Sequence, residues 1–233
     1  MVSDLPACTP AGSALSGAGF LVGLKDEARL LRRVFPDVPV AISGATTEGA
    51  VRGAERLILS GVRSLVSFGL AGGLDASCPV GTIVIPHRVH ARGSVYVCAE
   101  SLRASLGADV PGVWSGDLLH SDTVVMTAVE KADLAARSGC GAVDMESGIL
   151  AQAAEKAGLP FAVLRVVCDP AERDLPDAAR YALSPEGGVQ WGGMLRSLLR
   201  HPLQISALTG LGAESARARS KMRVFLEQIC GRD

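Results

Sequence analysis

Between Gly141 and Glu172 the chain reads GAVDMESGILAQAAEKAGLPFAVLRVVCDPAE, an order of residues that admits few local structures. Ala142-Val143 closes a buried strand, and Asp144-Met145-Glu146 turns from it into a helix. Ile149, Leu150, Ala153, Ala154 and Ala157 recur in that helix at a period near 3.6. Asp144 is its candidate cap. Gly158 and Pro160 stop the helix, and Phe161 to Val167 follows as an apolar strand interrupted only by Arg165. A parallel pair of strands joined by a helical crossover ends on one edge of its sheet, so Glu146 and Asp169 are expected to face one cleft.

With 233 residues, 48% apolar and 20% charged, the chain can bury a substantial core and is read as one α/β domain. A formal net charge of -1 gives no electrostatic basis for binding nucleic acid. No basic run is interleaved with the two tryptophans, two tyrosines and five phenylalanines. Six cysteines, at positions 8, 78, 98, 140, 168 and 230, form no CxxC or Cys/His cluster, which points to reduced thiols in a cytoplasm and to no metal site. The opening residues lack a basic n-region, and no apolar run approaches the about 20 residues that span a bilayer. A cytoplasmic protein, peripheral at most to the inner face of the membrane, is the expectation.

Residues 1–16, rich in Pro, Ser and Ala, read as a loose leader. Gly19 to Gly23 is a first strand, followed by a helix with Leu24, Ala28, Leu31 and Phe35 on one stripe. Val38 to Ile42 is a second strand. Thr46 and Thr47 are candidate caps of a helix reaching Ser60, and Val62 to Phe68 is a third strand. Gly69 to Gly73 then reads as a glycine loop whose amides can approach a ligand, without the spacing of GxGxxG or the lysine of a P-loop. Val80 to Pro86 and Arg88 to Ala99 read as two partly antiparallel strands, Trp114 to Leu119 as another, and Thr127 to Arg137 as a helix. Helices are expected near Pro176 to Leu183, Val189 to Leu199 and Ala213 to Ile229, the last with Ala216, Met222, Phe225, Leu226 and Ile229 apolar.

Three segments in order, GLAGGLDASCPVGTIVIP, VDMES and CDPAE, resemble the nucleoside phosphorylase and methylthioadenosine/S-adenosylhomocysteine nucleosidase superfamily over about residues 18–200. VVCDPAERDLP and the tail SLLRHPLQISALTGLGAESARARSKM resemble its hopanoid-associated phosphorylase branch, which implies adenosylhopane as substrate. The resemblance implies a three-layer α/β/α sandwich around a mixed, partly barrel-like sheet. It divides the chain into a catalytic domain at 17–200 and a basic helical extension at 201–233 packed on the same domain. It also implies a homo-oligomer, a dimer or larger, and no organic cofactor or metal.

Carried over by resemblance, Asp169 handles the purine N7 proton, Glu146 holds the ribose hydroxyls and Met145 lies against the sugar. Leu70, Ala71 and Gly72 line the site near nucleophile and base. Val124 and Val125 read the base through the backbone, and Glu27 orients a nucleophilic water. Leu70 stands where the nucleosidases commonly have serine. Cys168-Asp169-Pro170 replaces a Ser-Asp pair, removing a hydroxyl that could orient the carboxyl. Arg88, His90 and Arg92 stand where an aromatic-His-Asp motif is expected, consistent with a 5′ pocket rebuilt for a bulky lipid.

Cleaving a ribosyl bond to adenine builds positive charge on the sugar and negative charge on the base, so the chemistry calls for an acid and an anion. Burial suits Asp169 to the first role, by raising its pKa, and an ionised Glu146 to the second. The nucleophile is phosphate or water. Phosphate is the candidate co-substrate for the hopanoid-like branch, on amides at Gly69 or at the helix start after Gly44, with Arg29 or Arg52; water needs Glu27. The alternative substrates are methylthioadenosine and S-adenosylhomocysteine. A non-catalytic nucleoside-binding protein is the reading from another class, and the absent GxGxxG argues against a dinucleotide oxidoreductase. Arg165 is read as structural, with a buried carboxylate partner. His87, His90, His120 and His201 show no ligand spacing. In the tail, Arg196, Arg200, Arg217, Arg219, Lys221 and Arg223 suggest contact with anionic lipid headgroups, through which a lipid-linked nucleoside would be reached.

Overall fold

The computed structural model describes residues 15–176 and 204–230. Among the described residues nine strands form one mixed sheet: β1 (Ala18–Val22), β2 (Val40–Ile42), β3 (Ser64–Gly73), β4 (Ile83–Val84), β5 (Arg88–Ala91), β6 (Ser94–Val97), β7 (Leu118–His120), β8 (Ala142–Asp144) and β9 (Phe161–Asp169). The helices are α1 (Lys25–Val34), α2 (Thr47–Leu59), α3 (Glu100–Ser105), α4 (Ala128–Ser138), α5 (Ser147–Ala157) and α6 (Gln204–Cys230).

The sheet order is β2-β1-β3-β8-β7-β5-β6, with β9 on the other side of β3 and β4 beyond it. It is organised by β3, whose ten residues outrun every neighbour. Its first half pairs in parallel with β1 up to Phe68 opposite Val22, where β1 ends. Beyond that point β8 takes over, antiparallel, with Gly72 opposite Val143. Along its other edge β9 runs parallel from Leu65 opposite Phe161 to Gly72 opposite Asp169.

This corrects the expected parallel pairing of the strands around α5. Because β8 runs against β3 and β9 runs with it, β8 and β9 are opposed and separated by β3. The two acidic strand ends still converge, since Val143 and Asp169 flank the same residue, Gly72. The glycine segment 69–73 is likewise no loop. It is the second half of β3, and its missing side chains leave room beside a paired strand.

Both faces of β3 and β9 are covered, which is why β9 reads as an unbroken apolar run. On one face Ala28, Leu31 and Val34 of α1, Leu102 of α3 and Ala218, Met222, Phe225 and Leu226 of α6 form one core. On the other, Ala50, Ala54 and Leu57 of α2 meet Ile149, Leu150, Ala151 and Ala154 of α5. This is the expected three-layer arrangement. Thr46 and Thr127 cap α2 and α4, each accepting at 3.1 Å from Gly49 N and Glu130 N. Gly139 and Gly158 end α4 and α5 at φ 70° and 66°, in the left-handed region where a Cβ is costly.

Other expectations shift. Leu15 is buried in the core and Arg63 donates to the Ser16 carbonyl, so the packed domain begins inside the expected leader. Arg88 to Ala99 is a hairpin of β5 and β6 rather than one strand, and β4 pairs with β9. Trp114 makes only a bridge to Val84. The short helix α3 was not expected. Within α6 the buried stripe is Ala218, Met222, Phe225 and Leu226, whereas Ala216 is exposed beside Arg217, Lys221 and Arg223. The helices expected near Pro176 to Leu183 and Val189 to Leu199, with Arg196, Arg200 and His201, lie outside the described residues. Among the described residues no helix is long and apolar enough to cross a membrane.

Candidate active site

A cavity of about 290 Å³ opens where β3 leaves β1 for β8. Nine of the residues proposed from sequence line it: Glu27, Leu70, Ala71, Gly72, Val124, Val125, Met145, Glu146 and Asp169. They arrive from five separate parts of the chain. The first turn of α1 supplies Glu27, the end of β3 the wall from Leu70 to Gly72, and the 121–127 segment its two valines. The turn between β8 and α5 brings Met145 and Glu146, and the end of β9 brings Asp169.

Glu27 is buried and turned back over its own helix start. Its Oε2 accepts from Leu24 N at 2.8 Å and its Oε1 accepts from Leu70 N at 2.8 Å. A Cβ on Gly69 would stand 2.5 Å from Oε1, so only glycine lets β3 pass this carboxylate. Burial raises the Glu27 pKa, against the nearby Arg165 charge and the N–H groups of Leu24, Leu70 and Gly23.

Glu146 lies across Gly23 from Glu27. Its Oε2 is 3.0 Å from Arg165 Nη2, and Ser43 Oγ donates to Oε1 at 3.4 Å. Burial pushes Glu146 up to about 7; Arg165 opposes this, while the negative charges of Asp144 and Glu27 add to it. An ion pair alone would lower the value, but here one guanidinium serves three buried carboxylates. Glu146 is therefore poised between acid and anion near neutral pH, rather than being the permanent anion expected.

Arg165, expected to be a structural ion-pair residue, is the hub of this wall. Nη2 reaches Asp144 Oδ2 at 2.5 Å and donates to Ser67 Oγ at 2.6 Å, and Nη1 donates to Leu70 O at 3.1 Å. Burial works against its charge, and Asp144, Glu146 and Glu27 more than offset that, raising its pKa. The N-cap of α5 is Glu146 rather than the expected Asp144, whose carboxylate, two residues earlier, accepts from Ser147 N and Ser147 Oγ and also lines the cavity.

At the end of β9, Asp169 has a buried counter-charge beside it, where burial alone was expected to act on the carboxyl. Lys131 of α4, itself fully buried, donates from Nζ to Asp169 Oδ2 at 2.7 Å, to Pro170 O at 2.7 Å and to Arg173 O at 3.0 Å. The Cys168 thiol donates to Asp169 Oδ1 at 3.6 Å. Burial and the adjoining Asp169 hold that thiol well above its usual range, so it acts as a neutral donor.

Four residues offered for phosphate do not come to the cavity. Arg29 is exposed and paired with Asp26 at 2.5 Å, and Arg52 is exposed on α2. Gly44 and Gly69 are not among its lining residues, although their neighbours Ala45 and Leu70 are. The only basic side chains lining the cavity among the described residues, Arg165 and Lys131, are both occupied by carboxylates. His87, His90 and His120 pair with Arg103, Asp117 and Asp122 away from the cavity. No cluster able to hold a metal ion occurs among the described residues.

Lys131 was missed from sequence, although a signal existed. It falls on the same helical stripe as Leu134 and Ala135, so the pattern of α4 buries it, and a buried lysine requires an acceptor.

The mixed sheet with helices on both faces matches the nucleoside phosphorylase and nucleosidase fold. The phosphorylase superfamily matches at residues 99–199. Among solved structures, the 5′-methylthioadenosine/S-adenosylhomocysteine nucleosidase of Helicobacter pylori superposes with a TM-score of 0.66 at 16% identity, over 91% of this chain and 96% of that one. The futalosine hydrolase of Helicobacter pylori gives 0.67 at 17%, over 91% and 96%. The nucleosidase of Neisseria meningitidis in complex with methylthio-immucillin-A gives 0.65 at 18%, over 91% and 97%. At these identities the likeness establishes the fold. No curated protein sequence matches the chain.

Proposed function

We propose that this protein cleaves the N-ribosidic bond of an adenine nucleoside and that water is the nucleophile. The observation that carries the reading is that Glu27, Glu146 and Asp169, from three separate parts of the chain, line one cavity, with Glu27 and Glu146 both beside Gly23.

Ionised Glu146 accepts the ribose hydroxyls and places negative charge beside the oxocarbenium-like sugar, while Met145 packs on the ring. Val124 and Val125 enclose the base. Asp169, with the Cys168 thiol beside it, manages the proton at purine N7 as negative charge passes to the leaving base. Glu27 orients and deprotonates water, its two backbone donors holding the carboxylate still.

Phosphorolysis, favoured by the sequence, loses its support because Arg29 and Arg52 lie away from the cavity and Arg165 and Lys131 are already paired. We propose adenosylhopane as the substrate, supported by the resemblance of the CDPAERDLP segment and tail to the hopanoid-associated branch. The apolar side chain of Leu175 in the lining accords with an apolar 5′ substituent. Methylthioadenosine or S-adenosylhomocysteine is the second reading, supported by the substrates named for the solved structures of the same fold.

Chromatography of products from adenosylhopane and methylthioadenosine, each with and without phosphate, tests both parts. Adenine release undiminished without phosphate is expected. Release only with phosphate, as a sugar phosphate, overturns the hydrolytic reading, and no adenine from any nucleoside overturns the function.

A further inference from the structure

Lys131 is the feature of the cavity that the proposed chemistry does not yet use. It is fully buried, and each of its three ammonium protons has an acceptor: one carboxylate oxygen and two backbone carbonyls in the turn leaving β9. Any buried lysine needs such acceptors. This one is placed so that its carboxylate partner keeps Oδ2 occupied and leaves Oδ1 beside the cavity-lining Cys168, with Gly72 giving the space: a Cβ there would stand 3.2 Å from Oδ1.

Resting on the reading of this site as one that expels a purine, we propose that Lys131 is a positioning residue for the leaving group. It acts through Asp169. Holding Oδ2 fixes the plane of the carboxyl, so that Oδ1 alone is offered to the proton at purine N7, a proton that a nitrophenolate leaving group does not need.

The role predicts dependence on the leaving group. Lys131→Met and Lys131→Arg are assayed against adenosine or methylthioadenosine and against para-nitrophenyl riboside, whose leaving group departs without a proton. In Lys131→Met, kcat for the adenine nucleoside falls about 100-fold relative to wild type, whereas para-nitrophenyl riboside loses about tenfold at most. Lys131→Arg, which keeps the charge, recovers part of the adenine reaction. The ratio of the two substrates is taken within one preparation, so partial unfolding cancels from it. Equal losses on both substrates would make Lys131 merely structural and overturn the proposal.

Adenine affinity by calorimetry separates this from failure of the reaction itself. If the wild type binds adenine but cleaves neither riboside, the function is wrong, and the Lys131 contact is still judged by whether Lys131→Met weakens adenine binding. Unchanged binding overturns it. A wild type that neither binds adenine nor cleaves overturns both.

Discussion

Arg165 Nη2 lies 3.0 Å from Glu146 Oε2, and neither side chain is more than 6% exposed. The same guanidinium nitrogen also serves Asp144, and Glu27 is close enough to feel its charge. One cation set among three buried acids leaves an excess of negative charge that the site relieves by holding protons, and this governs how it responds to pH and mutation.

The first consequence concerns pH. The folded protein holds the Glu146 proton until about 7, above the ordinary carboxylate value of 4.5. The stabilising contribution of that proton is therefore complete below the unfolded value and disappears as pH rises through about 7. The anion that grips the sugar forms over the same window. Catalytic rate is expected to rise and thermal stability to fall together from about pH 5 to about pH 8. Glu146→Gln should flatten the stability trend and abolish most activity, as pH-rate profiles and thermal melts would show.

Removing the hub tests the charge balance directly. Arg165→Met takes the counter-charge from Asp144, Glu146 and Glu27 and is expected to destabilise the fold by about 3–5 kcal/mol, measured by urea denaturation at neutral pH. The loss should shrink at acid pH, where the carboxylates are protonated.

Gly69→Ala examines the passage of β3 over Glu27. The residue has φ 149° and an added Cβ would lie 2.5 Å from Glu27 Oε1, so the carboxylate must move. A cost of about 1–3 kcal/mol is expected. Hydrolysis should fall sharply while adenine affinity is retained, because the base wall is untouched; steady-state kinetics and calorimetry distinguish the two.

Arg29→Ala and Arg52→Ala should do almost nothing. Both side chains are exposed and away from the cavity, so stability should change by about 0.5 kcal/mol or less and adenine release should be unaltered with or without phosphate. A selective loss of phosphate-dependent release would restore the phosphorolytic route.

Much of the layered fold follows from the chain's own order. The continuous apolar run of β9, the threonines before α2 and α4, and the glycines after α4 and α5 act within a few residues of themselves, through burial, hydrogen bonding and backbone freedom. For that reason the strand, helix, strand unit around Met145 could be read directly, and so could the placement of Glu146 and Asp169 beyond its two strands. Strand direction was another matter. β8 opposes β9 because β3 outlasts β1 and needs a new partner from Gly72 onward, a condition set by a strand some 70 residues upstream.

Local sequence determined which side chains stand at strand and helix ends, since spacing and turn chemistry are short-range. Only the tertiary structure decided their electrical company. Lys131 meets Asp169 across 38 residues and Glu27 meets Leu70 across 43, whereas Arg29 and Arg52 face solvent. A charge or a hydrogen bond depends on distance through space, and nothing in the linear order of this chain reports which distant segment the fold will bring within 3 Å.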